Sequence, residues 1–147
     1  MTPITVGGYR PVKELPLTYT KDAEGNAGYD LVSTESATLA PGEIRRVKLN
    51  AHFAIPTGYY GRLTPRSGLS SQGINVIPGV IDSTYRGQLQ AIVKNELQTP
   101  VLVEEGMRLA QILFLKHETP SFVEVEDLEN LGKTDRGEDG FGSSGKF

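Results

Sequence analysis

The apolar residues of this chain lie in short runs divided by glycine, proline and asparagine, and this spacing limits the fold more than any other feature. The runs are rich in Val, Ile, Leu, Tyr and Phe, and turn sequences such as PGE, PTG and EEG separate them. Runs of this length and composition are typical of β-strands. Strands are predicted at residues 44–49, 51–55, 59–64, 89–95, 101–103, 111–117 and 122–125. Short helical turns are predicted at residues 67–72 and 125–130.

An all-β fold follows from this pattern, and the regular spacing is compatible with a sandwich, a jelly roll or a distorted barrel. A chain of 147 residues is expected to form one domain around one core. The apolar periodicity stops near Gly132. We therefore expect a β domain over residues 1–132 and a flexible, glycine-rich C-terminal arm over residues 133–147.

The composition excludes several classes of protein. The net charge of −3 argues against a general binder of nucleic acid or of membrane surfaces, since both need a basic excess. Because the chain has no cysteine, neither a disulfide framework nor a thiolate metal site is possible. The N-terminal sequence MTPITVGGYR lacks the apolar core of a signal peptide. We expect an intracellular protein, cytoplasmic or, in a eukaryotic or viral setting, nuclear.

The stretch TPRSGLS, residues 64–70, has the chemistry of an anion site. Pro65 is expected to end a strand, and the Ser67 side chain to cap the short helical turn that follows. This arrangement would direct backbone N–H groups, a hydroxyl and the guanidinium of Arg66 to one point. An ordinary surface turn has the same residues, so the stretch alone leaves both interpretations open.

Two acids lie where turns meet strands. In AGYDL, residues 27–31, Asp30 lies where a strand is expected to begin, although a glycine before a strand often marks only a turn. In PGVIDSTYRGQL, residues 78–89, Asp82 follows two apolar residues and is expected to be partly buried. A buried carboxylate requires either a charged or hydrogen-bonding partner or a functional role. The alternative is an ordinary turn aspartate, whose side chain hydrogen-bonds only to the nearby backbone.

The stretch GMRLAQILF, residues 106–114, is predicted to form a strand with one polar side chain on an otherwise apolar face. Alternation predicts one face with Arg108, Ala110 and Ile112 and another with Leu109, Gln111 and Leu113. A glutamine on an otherwise apolar face requires a hydrogen-bond partner, unless the face is a solvated edge.

The chain ends in RGEDGFGSSGKF, residues 136–147, where glycines surround an arginine and a phenylalanine. GFGSSGK has the spelling of a P-loop, but Phe147 stands where a Ser or Thr should reach magnesium, and no helix follows in this sequence. The P-loop interpretation is therefore rejected. Glycine N–H groups and the hydroxyls of Ser143 and Ser144 could still bind an anion, and a disordered tail is the alternative.

The order and spacing of five stretches are more specific than any one of them. AGYDL, PRSG, GVIDSTYRGQ, RLAQ and RGEDGFGSSG resemble the five motifs of the trimeric dUTPases, the dUTP nucleotidohydrolases. They follow the family's order and span residues 27–145. The resemblance implies a jelly-roll-like distorted β-barrel and a homotrimer with shared active sites. One subunit would give the first, second and fourth motifs, another the third, and a third the arm.

The same resemblance implies an enzyme that hydrolyses dUTP to dUMP and pyrophosphate, which limits uracil in DNA and supplies dUMP for dTMP synthesis. Asp82 would be the general base for the water that attacks the α-phosphorus. The cofactor would be Mg²⁺, held mainly by the triphosphate, with Asp30 contacting it through water. Arg108 would be mainly structural. Neither a nucleic acid nor a membrane is an implied partner.

The implied substrate contacts divide among the base, the sugar and the phosphates. A hairpin would read uracil largely through its main chain, and Tyr85 would pack against the deoxyribose and exclude a 2′-hydroxyl. Around the base and sugar would lie Gly79, Val80, Ile81, Asp82, Tyr85, Gln90 and, stacked on uracil from the mobile arm, Phe141. Around the phosphates would lie Arg66, Ser67, Gly68, Gln111, Arg136, Gly142, Ser143 and Ser144.

The chain departs from the family pattern near its motifs, and two alternatives to dUTP hydrolysis stay open. Thr84 stands where many relatives have an acid, and Gln88 where many have Glu. A dCTP deaminase, including a bifunctional deaminase and dUTPase, would place a catalytic Glu at the position of Ile92. A non-catalytic nucleotide sensor could lack the base or the arm, and this sequence has both.

Overall fold

The computed structural model describes residues 5–8 and 27–140, and it consists mainly of β-strands and loops. The strands are β1 (Thr5–Gly8), β2 (Tyr29–Val32), β3 (Ala37–Leu39), β4 (Ile44–Lys48), β5 (Ala51–Ala54), β6 (Tyr59–Thr64), β7 (Ile74–Ile77), β8 (Gly79–Ile81), β9 (Gln90–Asn95), β10 (Val101–Val103) and β11 (Arg108–Lys116). Helical structure in this part of the chain is limited to α1 (Ser67–Ser70) and a 3₁₀ helix (Leu128–Leu131), neither of them long enough to cross a membrane. The predicted all-β class is confirmed.

The strands pair in four small antiparallel sheets rather than in one large sheet. Their orders are β2–β11–β6–β8, β4–β9–β7, β1–β5 and β3–β10. Short, twisted sheets of this kind wrap around a common interior, which is the architecture of a distorted barrel. In the largest sheet, β8 lies at an edge and β11 lies between β2 and β6. This position of β11 determines which side chains meet at the candidate site.

Aliphatic side chains of β2–β7 and β9–β11 form one buried cluster. Its most enclosed members include Leu31, Leu39, Val47, Leu49, Val93, Leu109 and Ile112. Two buried asparagines connect the loops to this core. The Asn50 side chain accepts a hydrogen bond from the backbone N–H of Val32 at 3.0 Å, and the Asn95 side chain donates to three backbone carbonyls, among them that of Thr99 at 2.8 Å. These bonds satisfy polar groups that burial would otherwise leave unpaired.

Most predicted strands are confirmed to within a few residues, but the strand predicted at 122–125 is wrong. That segment has no regular structure, and Phe122 and Val123 are 95% and 87% exposed. Its residues have strand character, but no strand within the described chain pairs with them. The second predicted helical turn is present as the 3₁₀ helix, displaced towards the C-terminus. The short strands β1, β3, β7 and β8 are not among the predicted strands.

The predicted alternation along β11 is wrong at the start of the strand. The pairing with β2 shifts between Arg108 and Ala110, and both Leu109 and Ala110 are fully buried. A β-bulge inserts one extra residue, so that two successive side chains turn towards the core. The strand also begins at Arg108, three residues before the predicted start.

Candidate active site

The register of β11 brings three of the sequence stretches together in one chain. Gln111 lies opposite Asp30 on β2 and opposite Thr64 on β6. Because Thr64 ends β6, the chain passes directly into Pro65 and Arg66 beside the same point. The Asp30, Arg66 and Gln111 stretches therefore form one cluster, although they are far apart in the sequence.

Charged groups dominate this cluster. Arg66 Nε lies 3.1 Å from Asp30 Oδ1, and Arg108 Nη1 lies 3.7 Å from Asp30 Oδ2. Arg66 Nη1 is also 3.4 Å from the carbonyl oxygen of Arg108, at the long limit for a hydrogen bond. Two guanidinium groups share one carboxylate, so the cluster keeps a net positive charge. Such a surface suits a polyanionic ligand.

Gln111 connects the three stretches by direct contact. Its Nε2 donates to the carbonyl oxygen of Pro65 at 3.2 Å, which confirms that a glutamine here needs a partner. A Cβ at Gly28 would lie only 2.8 Å from Gln111 Oε1, so the glycine lets β2 approach the glutamine closely. The glycine of AGYDL, Gly28, is therefore required for close packing against Gln111 and does not only mark a turn.

The prediction that the Ser67 side chain caps α1 is wrong. The residue before the helix is Arg66, whose backbone is extended at φ −99° and ψ 133°, and no side chain makes a capping bond. Because the helix begins at Ser67 itself, its hydroxyl is not used within the turn. Ser67 and Gly68 are both exposed, next to the Arg66 guanidinium.

A second site lies in a surface pocket of about 330 Å³. The residues that line it are Arg46, Val80, Ile81, Asp82, Tyr85, Gln90 and Ile92. Five of these are sequence-predicted substrate contacts, whereas Arg46 and Ile92 are not. Asp82 is exposed in the single chain, so the expected partial burial is wrong for this state. The reason is that Asp82 follows β8, an edge strand whose Val80 is itself 66% exposed.

Three hydrogen bonds hold the segment that carries Tyr85 beside this pocket. The Tyr85 hydroxyl donates to the Gln88 carbonyl at 2.8 Å, and Gln88 Nε2 donates to the Leu49 carbonyl at 2.9 Å. His52 Nδ1 lies 2.9 Å from the Arg86 carbonyl, which can only accept, so this nitrogen carries the proton. A Cβ at residue 87 would clash with the Tyr85 hydroxyl. The bonds of Gln88 and His52 join residues 39 and 34 positions apart, so no local pattern in the sequence indicates them.

The two sites lie at opposite ends of β6. β6 and β8 are antiparallel, with Leu63 opposite Gly79 and Gly61 opposite Ile81. Asp82 therefore lies beyond the start of this pairing, and Arg66 beyond its end. Five residues of extended chain separate Gly61 from Arg66, which amounts to about 16 Å. Within one chain, the two sites do not form a common centre.

The C-terminal arm is described only in part. Arg136 is exposed, and its Nε donates to the carbonyl oxygen of Asp139 within a local turn. The predicted contacts Phe141, Gly142, Ser143 and Ser144 lie outside the described residues. In residues 5–8 and 27–140, no group of three or more His, Asp or Glu side chains could hold a metal ion.

Comparison with known proteins assigns the chain to a family. The dUTPase family model matches residues 17–145. The chain belongs to the dUTPase family. The deoxyuridine 5′-triphosphate nucleotidohydrolase of Monkeypox virus is 41% identical over 126 residues, which cover 86% of this chain and 82% of the viral protein. The corresponding Fowlpox virus protein is 44% identical over 126 residues, with 85% and 87% coverage.

Solved dUTPase structures have the same fold. The dUTPase of Staphylococcus bacteriophage 80alpha with dUPNHPP has a TM-score of 0.82 and 30% sequence identity, over 99% of this chain and 100% of that one. A mutant dUTPase from phage phi11 of S. aureus, which coordinates a structural Mg(II) ion, has a TM-score of 0.76 and 28% identity, over 87% and 99% of the two chains. The resemblance of the five motifs to the dUTPase family is therefore confirmed.

We expect Asp30→Asn to lower kcat/KM for dUTP roughly tenfold or more and to lower the melting temperature by only a few degrees. The substitution removes the charge that holds Arg66, and the pair is partly exposed, with side-chain exposures of 20% for Asp30 and 32% for Arg66. Glu43→Gln is the matched control, because it breaks the pair with Arg45, at 2.6 Å, on another sheet. Steady-state kinetics and thermal unfolding of both variants provide the test. Equal activity in the two variants would contradict a role for Asp30 in the site.

Proposed function

We propose that this protein is a dUTP diphosphatase, which hydrolyses dUTP to dUMP and pyrophosphate. The observation that carries the proposal is the family match over residues 17–145, within which all five motifs occur in order. The curated relatives share this activity in their names and match most of the chain. The two clusters of the candidate site supply complementary chemistry, one for phosphates and one for a base and sugar.

Asp82 acts as the general base in this proposal. Among the residues described around the pocket, it alone carries a carboxylate. The carboxylate takes a proton from a water molecule as the water oxygen attacks the α-phosphorus. The bond from the α-phosphorus to the oxygen that bridges to the β-phosphorus breaks, and pyrophosphate leaves with the electron pair. A well-placed general base contributes roughly 10²–10⁴-fold to the rate.

The pocket beside Asp82 binds the deoxyuridine. The backbone of Gly79, Val80 and Ile81, together with Gln90, reads the edge of uracil, and a fixed backbone pattern leaves cytosine with unpaired groups. Tyr85 lies against the sugar. Its hydroxyl bond to Gln88 and the absence of a side chain at Gly87 support a fixed position for its ring.

The positive cluster binds the triphosphate. Arg66, Ser67, Gly68 and Gln111 contact phosphate oxygens, and Arg108 holds Asp30 and Arg66 in position. A lone carboxylate, already paired with two arginines, is a poor cage for a metal ion. The triphosphate would supply most of the ligands of a Mg²⁺ ion, Asp30 would contact the ion through water, and the ion would neutralise charge on the phosphates. This mode suits an ion that gives up its water reluctantly.

The active enzyme is a homotrimer with shared sites. The separation of the two clusters along β6 supports this proposal, because Asp82 would act at the α-phosphorus while Arg66 of the same chain lies about 16 Å further along the strand. The exposed apolar residues of the C-terminal segment also support it, since exposed apolar patches mark interfaces. Those residues are Phe122, Val123, Leu128 and Leu131. A second copy would cover this segment, which has strand character and pairs with no strand of the described residues.

The arm completes the site in this proposal. Residues 133–147 close over the bound nucleotide, with Phe141 on uracil, Arg136 at the γ-phosphate and Gly142, Ser143 and Ser144 around the phosphates. A segment that orders on binding meets its entropic cost at that moment, and it must also reopen to release the products. Deamination of dCTP is disfavoured, because Ile92 in the pocket wall offers no group to activate water at the base ring.

We expect Asp82→Asn to remove most turnover, roughly 10²–10⁴-fold, and to leave the Kd for a non-hydrolysable dUTP analogue within a few-fold of the wild type. The reason is that asparagine keeps the shape of the side chain but cannot accept the proton. Single-turnover kinetics and calorimetric titration measure the two quantities. Turnover within about twofold of the wild type would exclude Asp82 as the base.

We expect mixed trimers of Asp82→Asn and Arg66→Ala subunits to regain activity. Each variant alone lacks one half of every site, whereas a mixed trimer contains sites that take Asp82 from one subunit and Arg66 from another. Random mixing of equal amounts gives about a quarter of the wild-type activity when a site draws these groups from two different subunits. Co-refolded mixtures provide the measurement. Mixed trimers as inactive as either parent would show that one chain supplies both groups.

We expect Gly87→Ala to lower the preference for dUTP over UTP roughly tenfold, because a new methyl group displaces the Tyr85 ring that excludes the 2′-hydroxyl. Tyr85→Ala is expected to have a similar effect. The double variant should be no less selective than either single variant, since both act through the same ring. The measurement is the ratio of kcat/KM for the two nucleotides. Additive losses would mean that Gly87 acts independently of Tyr85.

A further inference from the structure

Arg46 contributes the one basic side chain that lines the pocket among the described residues. It lies on β4 directly opposite Ile92 on β9, and Lys48 of the same strand face lies opposite Gln90. Side chains on directly opposed residues of antiparallel strands have Cβ atoms about 5 Å apart. The long Arg46 side chain therefore extends over the pocket wall that Ile92 and Gln90 form.

The neighbouring arginine on β4 has a different environment. Arg45 pairs with Glu43 at 2.6 Å through both Nε and Nη2. A hydrogen bond from the backbone N–H of Ala40, followed by the contact with Arg45, lowers the pKa of the Glu43 carboxyl. Arg46 makes no ion pair or side-chain hydrogen bond with any other residue in the described part of the chain. Its donors are therefore available to a ligand in the pocket.

We infer that Arg46 donates a hydrogen bond to the 4-oxygen of the uracil base and thereby takes part in selecting uracil over cytosine. This inference rests on the proposed function of the pocket. A guanidinium carries five N–H donors and no acceptor, and uracil presents a carbonyl acceptor at position 4. Cytosine presents an amino donor there instead, so Arg46 and cytosine would face each other as two donors. A buried or half-buried donor without its acceptor is costly, which makes this a strong form of rejection.

The base, rather than a phosphate, is the partner that the surroundings of Arg46 favour. Its neighbours in the pocket are apolar Ile92 and the amide of Gln90, which suit a flat, neutral ring. In this arrangement the hairpin backbone of residues 79–81 contacts one part of the uracil edge, and the Arg46 side chain, which extends from β4, contacts the 4-oxygen.

The experiment compares Arg46→Met with Arg45→Met. Both variants remove one exposed arginine from the same strand and change the net charge equally, but only Arg46 lines the pocket. We measure the binding of dUMP and of an analogue whose base is pyrimidin-2-one, which keeps the 2-oxygen and lacks the 4-oxygen. The preference for dUMP over the analogue should fall roughly tenfold in Arg46→Met and stay unchanged in Arg45→Met. The ratio of kcat/KM for dUTP over dCTP should fall in parallel.

An unchanged preference in Arg46→Met, whatever happens to overall affinity, overturns the inference. Equal loss of affinity for dUMP and the analogue would mean that Arg46 acts through charge on the phosphate, and it overturns the inference as well. Arg46→Lys keeps the charge without the planar donor group, so it should lose part of the preference even if the methionine variant fails to fold. Absence of dUMP binding by the wild-type protein would instead contradict the proposed function, so the two failures are distinguishable.

Discussion

The register of β11 between β2 and β6 is the constraint on which the charged cluster of Asp30, Arg66 and Gln111 depends. Because Gln111 lies opposite both Asp30 and Thr64, the end of β6 and the start of β2 meet at one point. A shift by one residue would turn the Gln111 side chain to the other face of the sheet. The bulge at the start of β11 pins this register, and it also buries Leu109 and Ala110 beside the charged cluster. The core and the site therefore depend on the same pairing.

The same sheet places the two clusters of the proposed site apart. β6 leads into Arg66 at one end, and its edge partner β8 leads into Asp82 at the other. In the proposed homotrimer, the charged cluster of one copy would face the pocket of the next, so that one nucleotide could contact both. The exposed apolar residues of the C-terminal segment would then be covered by a neighbouring copy.

Local signals in the sequence predict local structure well here and long-range contacts poorly. The strands β6 and β10 begin and end where their apolar runs do, and PRSG forms the expected turn into α1. The strand predicted at 122–125 is wrong, because strand character requires a partner and none exists within the described chain. That Asp30, Arg66 and Gln111 lie together in one cluster was predictable only from the family resemblance. The contacts of His52 and Arg46 were not predictable, because they depend on pairings that no local pattern encodes.

The departures from the family pattern lie in the support of the pocket rather than in its chemistry. Gln88 stands where many relatives have glutamate, and its amide N–H₂ donates to the Leu49 carbonyl, a bond that an ionised carboxylate could not make. His52 makes a second bond from β5 to the same hairpin. Together they attach the hairpin to the β4–β5 corner, next to the strand that carries Arg46. The segment that carries Asp82 and Tyr85 is therefore attached to the sheet through side chains that do not line the pocket, so that these attachments can vary without a change in the residues that line it.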